Sequence, residues 1–263
     1  MLMRPCIHRV VSVRWGNNML VGSADIDELK KHAGTIPQFS ADDIILGDTT
    51  CFQLVAEMDN TAREALLPSA LHPTIPASMV LQVFNVRTSV WGEFLLALMR
   101  VSCRSGVRAR GFTLGAMVTT EKAQKGLGHV LGLATKLAVI DMEEAYAETR
   151  IRVLFSDTQI LEIQALDPEP LSTSDLQFTG TLNLANTPNG LRLVQVECIP
   201  QLTRVERLQS TFNSFQGEYW GSPLLQPTQV VTSTISRGDF LLPAIRFVCK
   251  PDELAFTGTE SVK

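Results

Sequence analysis

Short runs of alternating apolar and polar residues dominate the chain, and they predict many more strands than helices. Ile7 to Trp15 alternate loosely and are rich in β-branched side chains, which fits an opening strand. Cys51 to Met58, Met79 to Val90, Glu93 to Arg104 and Val107 to Val118 read as strands, and Ser105-Gly106 turns the last two into a hairpin. Tyr146 to Phe155 and Gln159 to Leu166 pair about Ser156-Asp157. Gln177 to Leu184 and Leu191 to Ile199 pair about Asn189-Gly190, the strongest local turn signal in the chain. Thr228 to Ile235 and Phe240 to Cys249 are closing strands, while Arg204 to Asn213 has mixed periodicity. Leu166 to Ser174, rich in proline and hydroxyls, reads as a loop, and the residues after Asp252 read as a frayed tail.

Helical signals are few. Asp25 to Gly34 has acids first, bases last and a terminal glycine, the charge order of a short helix that leaves His32 exposed. Asn60 to Leu67 is stopped by Pro68. Hydroxyls at Thr119 and Thr120 precede helix formers and predict a capped start there. The expected architecture is therefore mainly β, with antiparallel strands closing into a barrel and a few short helices. One domain covers residues 1–263, with an N-terminal strand and helix extension over 1–47 and a tail over 252–263.

Composition narrows the partners. The chain is 45% hydrophobic and 19% charged, enough apolar material for a sizeable core. Net charge is −4 and no basic stripe with interleaved aromatics occurs, which argues against nucleic acid. The five cysteines are scattered, with no CxxC or Cys/His ligand spacing, so free thiols in a reducing compartment are expected and no metal is. The N-terminus lacks an uninterrupted apolar core and no run approaches membrane-spanning length, so a cytoplasmic protein is expected. His8, His32, His72 and His129 show no metal spacing, and no Gly-x-Ser-x-Gly occurs.

The stretch Gly126 to Ile140 holds three glycines and one lysine, Lys136, in an otherwise apolar run. A lysine buried in such a run is driven toward its neutral, nucleophilic amine. A lysine that begins a strand there can instead snorkel its head to water. Gly126-x-Gly128-x-x-x-Gly132 follows a helix and opens a strand, the reverse of a dinucleotide loop, so close backbone packing or room for a ligand explains the glycines better.

Gly132-Leu-Ala-Thr-Lys-Leu-Ala138 resembles the glycine-aromatic-proline-lysine-lysine-leucine segment of the acetoacetate decarboxylase family. Val90-Trp-Gly-Glu-Phe-Leu95 resembles its aromatic-x-Glu strand, and the segments 57–68, 217–226 and 230–243 resemble further elements in the same order. The resemblance spans about Asp48 to Lys250 and implies a β-barrel cone with an internal site, no cofactor and a homo-oligomer. It also implies departures: the imine-forming lysine falls on Thr135 and its helper on Lys136. The carboxylate-binding arginine falls on Thr49, and a second acid falls on Gln82. One site acid, Glu93, is retained.

Three functions follow from that pattern. The first is an enzyme without the usual Schiff base, with Glu93 moving a proton and Lys136 stabilising a developing anion, while Thr135, Thr49, Gln82, Trp91 and His129 contact substrate. Cyclisation, isomerisation, dehydration or retro-aldol chemistry on an apolar, polyketide-like keto substrate suits it, as a lyase or an isomerase of secondary metabolism. The second is a β-keto acid decarboxylase in which Lys136 forms the imine. The third is a non-catalytic barrel that binds an apolar ligand.

Overall fold

A computed structural model describes residues 20–262. The expected strand from Ile7 to Trp15 lies outside the described residues. Thirteen strands in chain order form the main path of one sheet. They are β1 (Ile44–Glu57), β2 (Ser78–Thr88), β3 (Phe94–Ser105), β4 (Arg108–Val118), β5 (Val139–Glu144), β6 (Glu148–Phe155), β7 (Thr158–Leu171), β8 (Gly180–Thr187), β9 (Gly190–Val196), β10 (Ile199–Phe215), β11 (Gln229–Leu242), β12 (Phe247–Cys249) and β13 (Thr259–Ser261). The helices are α1 (Ile26–Lys30), α2 (Asn60–Leu66), α3 (Glu121–Leu131) and α4 (Ala255–Gly258).

The spatial order is β13-β12-β9-β8-β4-β3-β2-β1-β11-β10-β7-β6-β5. Almost all neighbours are antiparallel, and β4 meets β8 in a short parallel register through Arg110–Phe112 and Gly180–Leu182. Among the described residues no ladder joins the two ends of this path, but Lys136 and Leu137, just before β5, pair in parallel with Met117 and Val118 of β4 and bring that end back toward the middle of the sheet. One end of the path is the three-residue β13. The other is β5, which carries Asp141, Glu143 and Glu144, and short or charged edges resist further pairing.

The expected hairpins are present, and their turns have the chemistry that the sequence demanded. Ser156 and Asp157 both take positive φ, Gly106 sits at φ 59° and Gly190 at φ 90°. Two expectations fail. Leu166 to Leu171 is not a loop but the continuation of β7, paired with β10 through Leu171↔Val205. Pairing with β6 stops at Leu166, so Pro168 and Pro170 sit where one side of the strand is free and no ladder donor is missed. The residues after Asp252 are not a frayed tail: α4 and β13 are formed, and β13 pairs with β12.

Alternation along the central strands feeds two cores. Met79, Leu81 and Val83 join Ala97, Met99 and Val101 on one face. Phe84 and Val86 join Phe94, Leu96 and Leu98 on the other. Helix α3 covers this second face with Ala123, Leu127 and Leu131, the i, i+4, i+8 stripe of an amphipathic helix. Thr120 caps it, its side chain accepting from the Ala123 N–H at 3.3 Å. The helix extends through Gly126 and Gly128, further than the sequence suggested, and Gly132 ends it at φ 64°. Gly126 is there because Trp91 lies against the helix: a Cβ would meet the indole Nε1 at 2.1 Å.

Candidate active site cavity

Between α3 and the second face of the sheet lies a small, mostly apolar cavity of about 60 Å³. Its walls follow strand alternation: Gln82 and Phe84 from β2, Leu96, Leu98 and Arg100 from β3, and Thr181 and Asn183 from β8. Register places Leu96 opposite Phe84 and Leu98 opposite Gln82, so these side chains share one face. Leu127, Leu131 and Leu133 form the lid side, and Phe178, Val196, Cys198 and Leu242 complete the wall.

Arg100 is the one charged residue in that lining, and it is 1% exposed. Its Nη1 donates to the Thr179 carbonyl at 3.1 Å and to Thr181 Oγ1 at 2.9 Å. Its Nε and Nη2 are buried and have no acceptor among the described residues. Burial lowers its pKa to about 10, which leaves it cationic at neutral pH. The ionisable neighbours that act on it are thiols, Cys198, Cys51 and Cys103, and burial pushes the pKa of each upward, which keeps them neutral. The other polar walls are fixed. Gln82 donates to Gln53 Oε1 at 2.7 Å. Asn183 donates to the Leu131 carbonyl at 2.9 Å and accepts from Thr113 at 2.7 Å.

Leu133 and Asn183 also border a second pocket of about 70 Å³ on their far side, with Leu29, His32, Leu114 and Gly221. That pocket shares His32, Leu114, Ala134 and Gly221 with an open groove of about 280 Å³, where Lys31, Thr135, Lys136 and Glu218 reach the surface. Leu133 and Asn183 are thus the wall that the inner cavity shares with this second pocket, which in turn adjoins the outer groove.

The residues singled out from sequence scatter across this arrangement. Gln82 lines the cavity. Lys136 is exposed in the outer groove, donates to the Tyr219 carbonyl at 3.0 Å and lies 5.5 Å from the centre of the Phe155 ring. Thr135 is beside it, with a buried hydroxyl that has no partner among the described residues. Glu93 is exposed just before β3 and borders neither the cavity nor the groove. Thr49 is buried on β1, with its hydroxyl 3.3 Å from the Gly47 carbonyl and away from the cavity lining. Trp91 packs against Phe94 with ring centres 6.1 Å apart, and His129 is exposed on the last turn of α3. Lys136 therefore takes the snorkelling alternative, and Glu93 faces water rather than the core.

Arg100 was not singled out, although a signal existed. Phe94 to Val101 is an unbroken apolar run apart from this residue. Such a run marks a strand covered on both faces, where a cation has no route to water.

No family model matches the sequence, and no curated protein matches it. Solved structures do. Acetoacetate decarboxylase from Legionella pneumophila superposes with a TM-score of 0.71 at 15% identity, covering 80% of this chain and 88% of its own. The chain has the acetoacetate decarboxylase-like fold. An acetoacetate decarboxylase-like enzyme from Sphingomonas wittichii matches with a TM-score of 0.62 at 13% identity, over 78% of this chain and 92% of that one. The enduracididine biosynthesis enzyme MppR complexed with pyruvate matches with a TM-score of 0.63 at 14% identity, over 87% and 91%. Among the described residues no helix is long and apolar enough to cross a membrane.

Proposed function

We propose that this protein is a small-molecule enzyme of the acetoacetate decarboxylase-like superfamily that works on a compact keto substrate without an enzyme-bound imine. The observation that carries this reading is the lining of the inner cavity, which contains no amine: its one charged group is a guanidinium, and Lys136 lies outside it. A guanidinium does not form an imine with a ketone, but it stabilises an enolate or another developing oxyanion in a site shielded from water. Cyclisation, isomerisation, dehydration or retro-aldol cleavage all pass through such an anion. The structural neighbours support a keto substrate, since two are named acetoacetate decarboxylases or enzymes like them and MppR is complexed with pyruvate. The volume favours a small one. About 60 Å³ is far below the roughly 300–1,000 Å³ of drug-sized sites, so a polyketide-sized molecule requires α3 to move.

The test is turnover of a panel of small β-keto acids and enolisable ketones, followed by NMR, with a parallel borohydride arm read by peptide mass. Turnover without a reduced lysine adduct, lost in a folded Leu133→Phe variant that fills the cavity, is expected. An adduct on Lys136 revives imine chemistry. Ligand-induced stabilisation with no turnover makes the cavity a binding site only.

A further inference from the structure

Among the described residues Arg100 is a buried cation without a counter-charge. No carboxylate borders its cavity, and the ionisable groups nearest it are thiols held neutral by burial. Leaving a charge in that state is among the costliest arrangements a core can hold, and proteins keep it where a ligand supplies the missing partner. The pattern of its hydrogen bonds sharpens the point. Nη1 is anchored by Thr179 and Thr181, which fixes the plane of the group. The two donors left over, Nε and Nη2, lie on one edge of the guanidinium. That edge presents two parallel N–H groups at the spacing of the two oxygens of a carboxylate. The adjacent strand makes room for it: β4 carries Gly111, where a Cβ would stand 3.0 Å from Arg100 Cδ and 3.2 Å from Nε.

We propose that the cavity is a carboxylate-binding site in which the Nε/Nη2 edge of Arg100 takes a small monocarboxylate bidentately, while Leu96, Leu98, Phe84 and Leu131 enclose its short apolar body. A tetrahedral phosphate dianion is a poor fit, because one guanidinium in an otherwise uncharged wall leaves its second charge and its remaining oxygens unpaired. The inference rests on the inner cavity being the ligand site and adds the charge and size of what enters it. Thr49, where the resemblance places the carboxylate-binding residue, is an uncharged residue outside the lining, so Arg100 provides this anchor from a different strand.

The experiment is calorimetric titration of the full chain with butanoate, 2-oxobutanoate, the neutral isostere butanamide and inorganic phosphate, against wild type, Arg100→Met and Arg100→Lys. The carboxylates are expected to bind wild type at least tenfold more tightly than butanamide or phosphate. Arg100→Met is expected to lose about tenfold to a hundredfold in carboxylate affinity with butanamide unchanged, and Arg100→Lys at least tenfold, because it keeps the charge but not the paired edge. In wild type the Arg100 Nε–H resonance shifts on adding butanoate and not butanamide, a readout that holds even if the variants fail to fold. Equal binding of butanoate and butanamide, with no shift of that resonance, overturns the carboxylate inference and leaves the cavity as an apolar site. Absence of binding by every probe overturns the cavity reading as well.

Discussion

Gly111 and Arg100 face each other diagonally across β3 and β4, so close that a Cβ on the glycine would stand 3.0 Å from the arginine Cδ. The arginine lies flat only because the partner strand has no side chain at that point. Gly111→Ala is expected to cost about 1–3 kcal/mol in urea denaturation, the range for overpacking a filled core. It is also expected to displace the Nε edge, so carboxylate affinity falls while the circular dichroism spectrum is kept. An alanine tolerated in both measurements would show that the guanidinium has freedom the packing denies it.

The glycines of α3 separate by what surrounds them. Gly132 sits at φ 64°, and an added Cβ would lie 2.6 Å from the Cβ of Ala185. Gly132→Ala combines left-handed strain with a clash, and about 2–4 kcal/mol of destabilisation is expected. Gly128 has helical geometry and its nearest obstacle is the Leu133 carbonyl at 3.8 Å. Gly128→Ala is therefore expected to stabilise by about 0.5–1 kcal/mol. Chemical denaturation of the two variants side by side checks the pair; equal effects would refute the distinction.

Burial pushes the thiols of Cys103 and Cys198 up to about 12 from an ordinary value of 9.0, and Cys51 also upward. In the native state they stay protonated through pH 9–12, where the unfolded chain has already begun to lose those protons. The unfolded state then binds fewer protons, so the slope of stability with pH is negative across that window and the contribution of these groups is flat below about 9. Stability should decline from pH 9 upward, less steeply in a Cys103→Ala variant. At pH 8 the buried thiols of Cys51 and Cys103 should resist iodoacetamide until urea unfolds the chain, because the thiolate is the reactive form. Rapid alkylation of Cys103 in the folded protein would contradict its burial.

Glu93 and Lys136 offer a test of where the chemistry lies. Both are exposed, and Lys136 holds the Tyr219 carbonyl across the outer groove. Glu93→Gln and Lys136→Met are expected to change affinity for small carboxylates by less than about threefold, since exposed charges contribute little when solvent screens them. A loss of more than tenfold in either variant would return the site to the surface groove.

The fold was readable where turn chemistry is local. Asn189-Gly190, Ser105-Gly106 and Ser156-Asp157 specify reversals by their own backbone preferences, and the hairpins about them formed. Pro168 and Pro170 misled because a proline's fit in a strand depends on whether its partner side is occupied, which only the three-dimensional order of β6, β7 and β10 decides. The tail misled for the same reason, since β13 exists by pairing with β12. Of the residues that the resemblance pointed to, Gln82 lies in the cavity lining. Arg100 was signalled by the apolar run around it, but which groups it meets there, Thr179 and Thr181 from the far end of the chain, depends on contacts that its own segment does not encode. Whether Glu93 and Lys136 share a cavity is likewise a property of distant contacts, and nothing in their own segments encodes it.

Asn183 stands in the wall between the second pocket and the inner cavity, and both ends of its amide are engaged. It donates to the Leu131 carbonyl at the C-terminal end of α3 and accepts from the Thr113 hydroxyl on β4. These two bonds tie the helix end to the sheet at one of the two residues, with Leu133, that the cavity and the second pocket share. Asn183→Ala removes both bonds and leaves a buried hydroxyl and a buried carbonyl short of a partner, at an expected cost of about 1–3 kcal/mol. It also thins the partition. Stopped-flow binding of butanoate should therefore show a faster association rate than wild type at an unchanged or weaker affinity, because the change opens the path without adding a contact. Asn183→Asp separates the two roles, since a carboxylate still accepts from Thr113 but cannot donate to Leu131, and it adds a negative charge to the wall that Arg100 shares. That variant is expected to suppress carboxylate binding more than Asn183→Ala does, and unaltered kinetics in both would place the route to the cavity elsewhere.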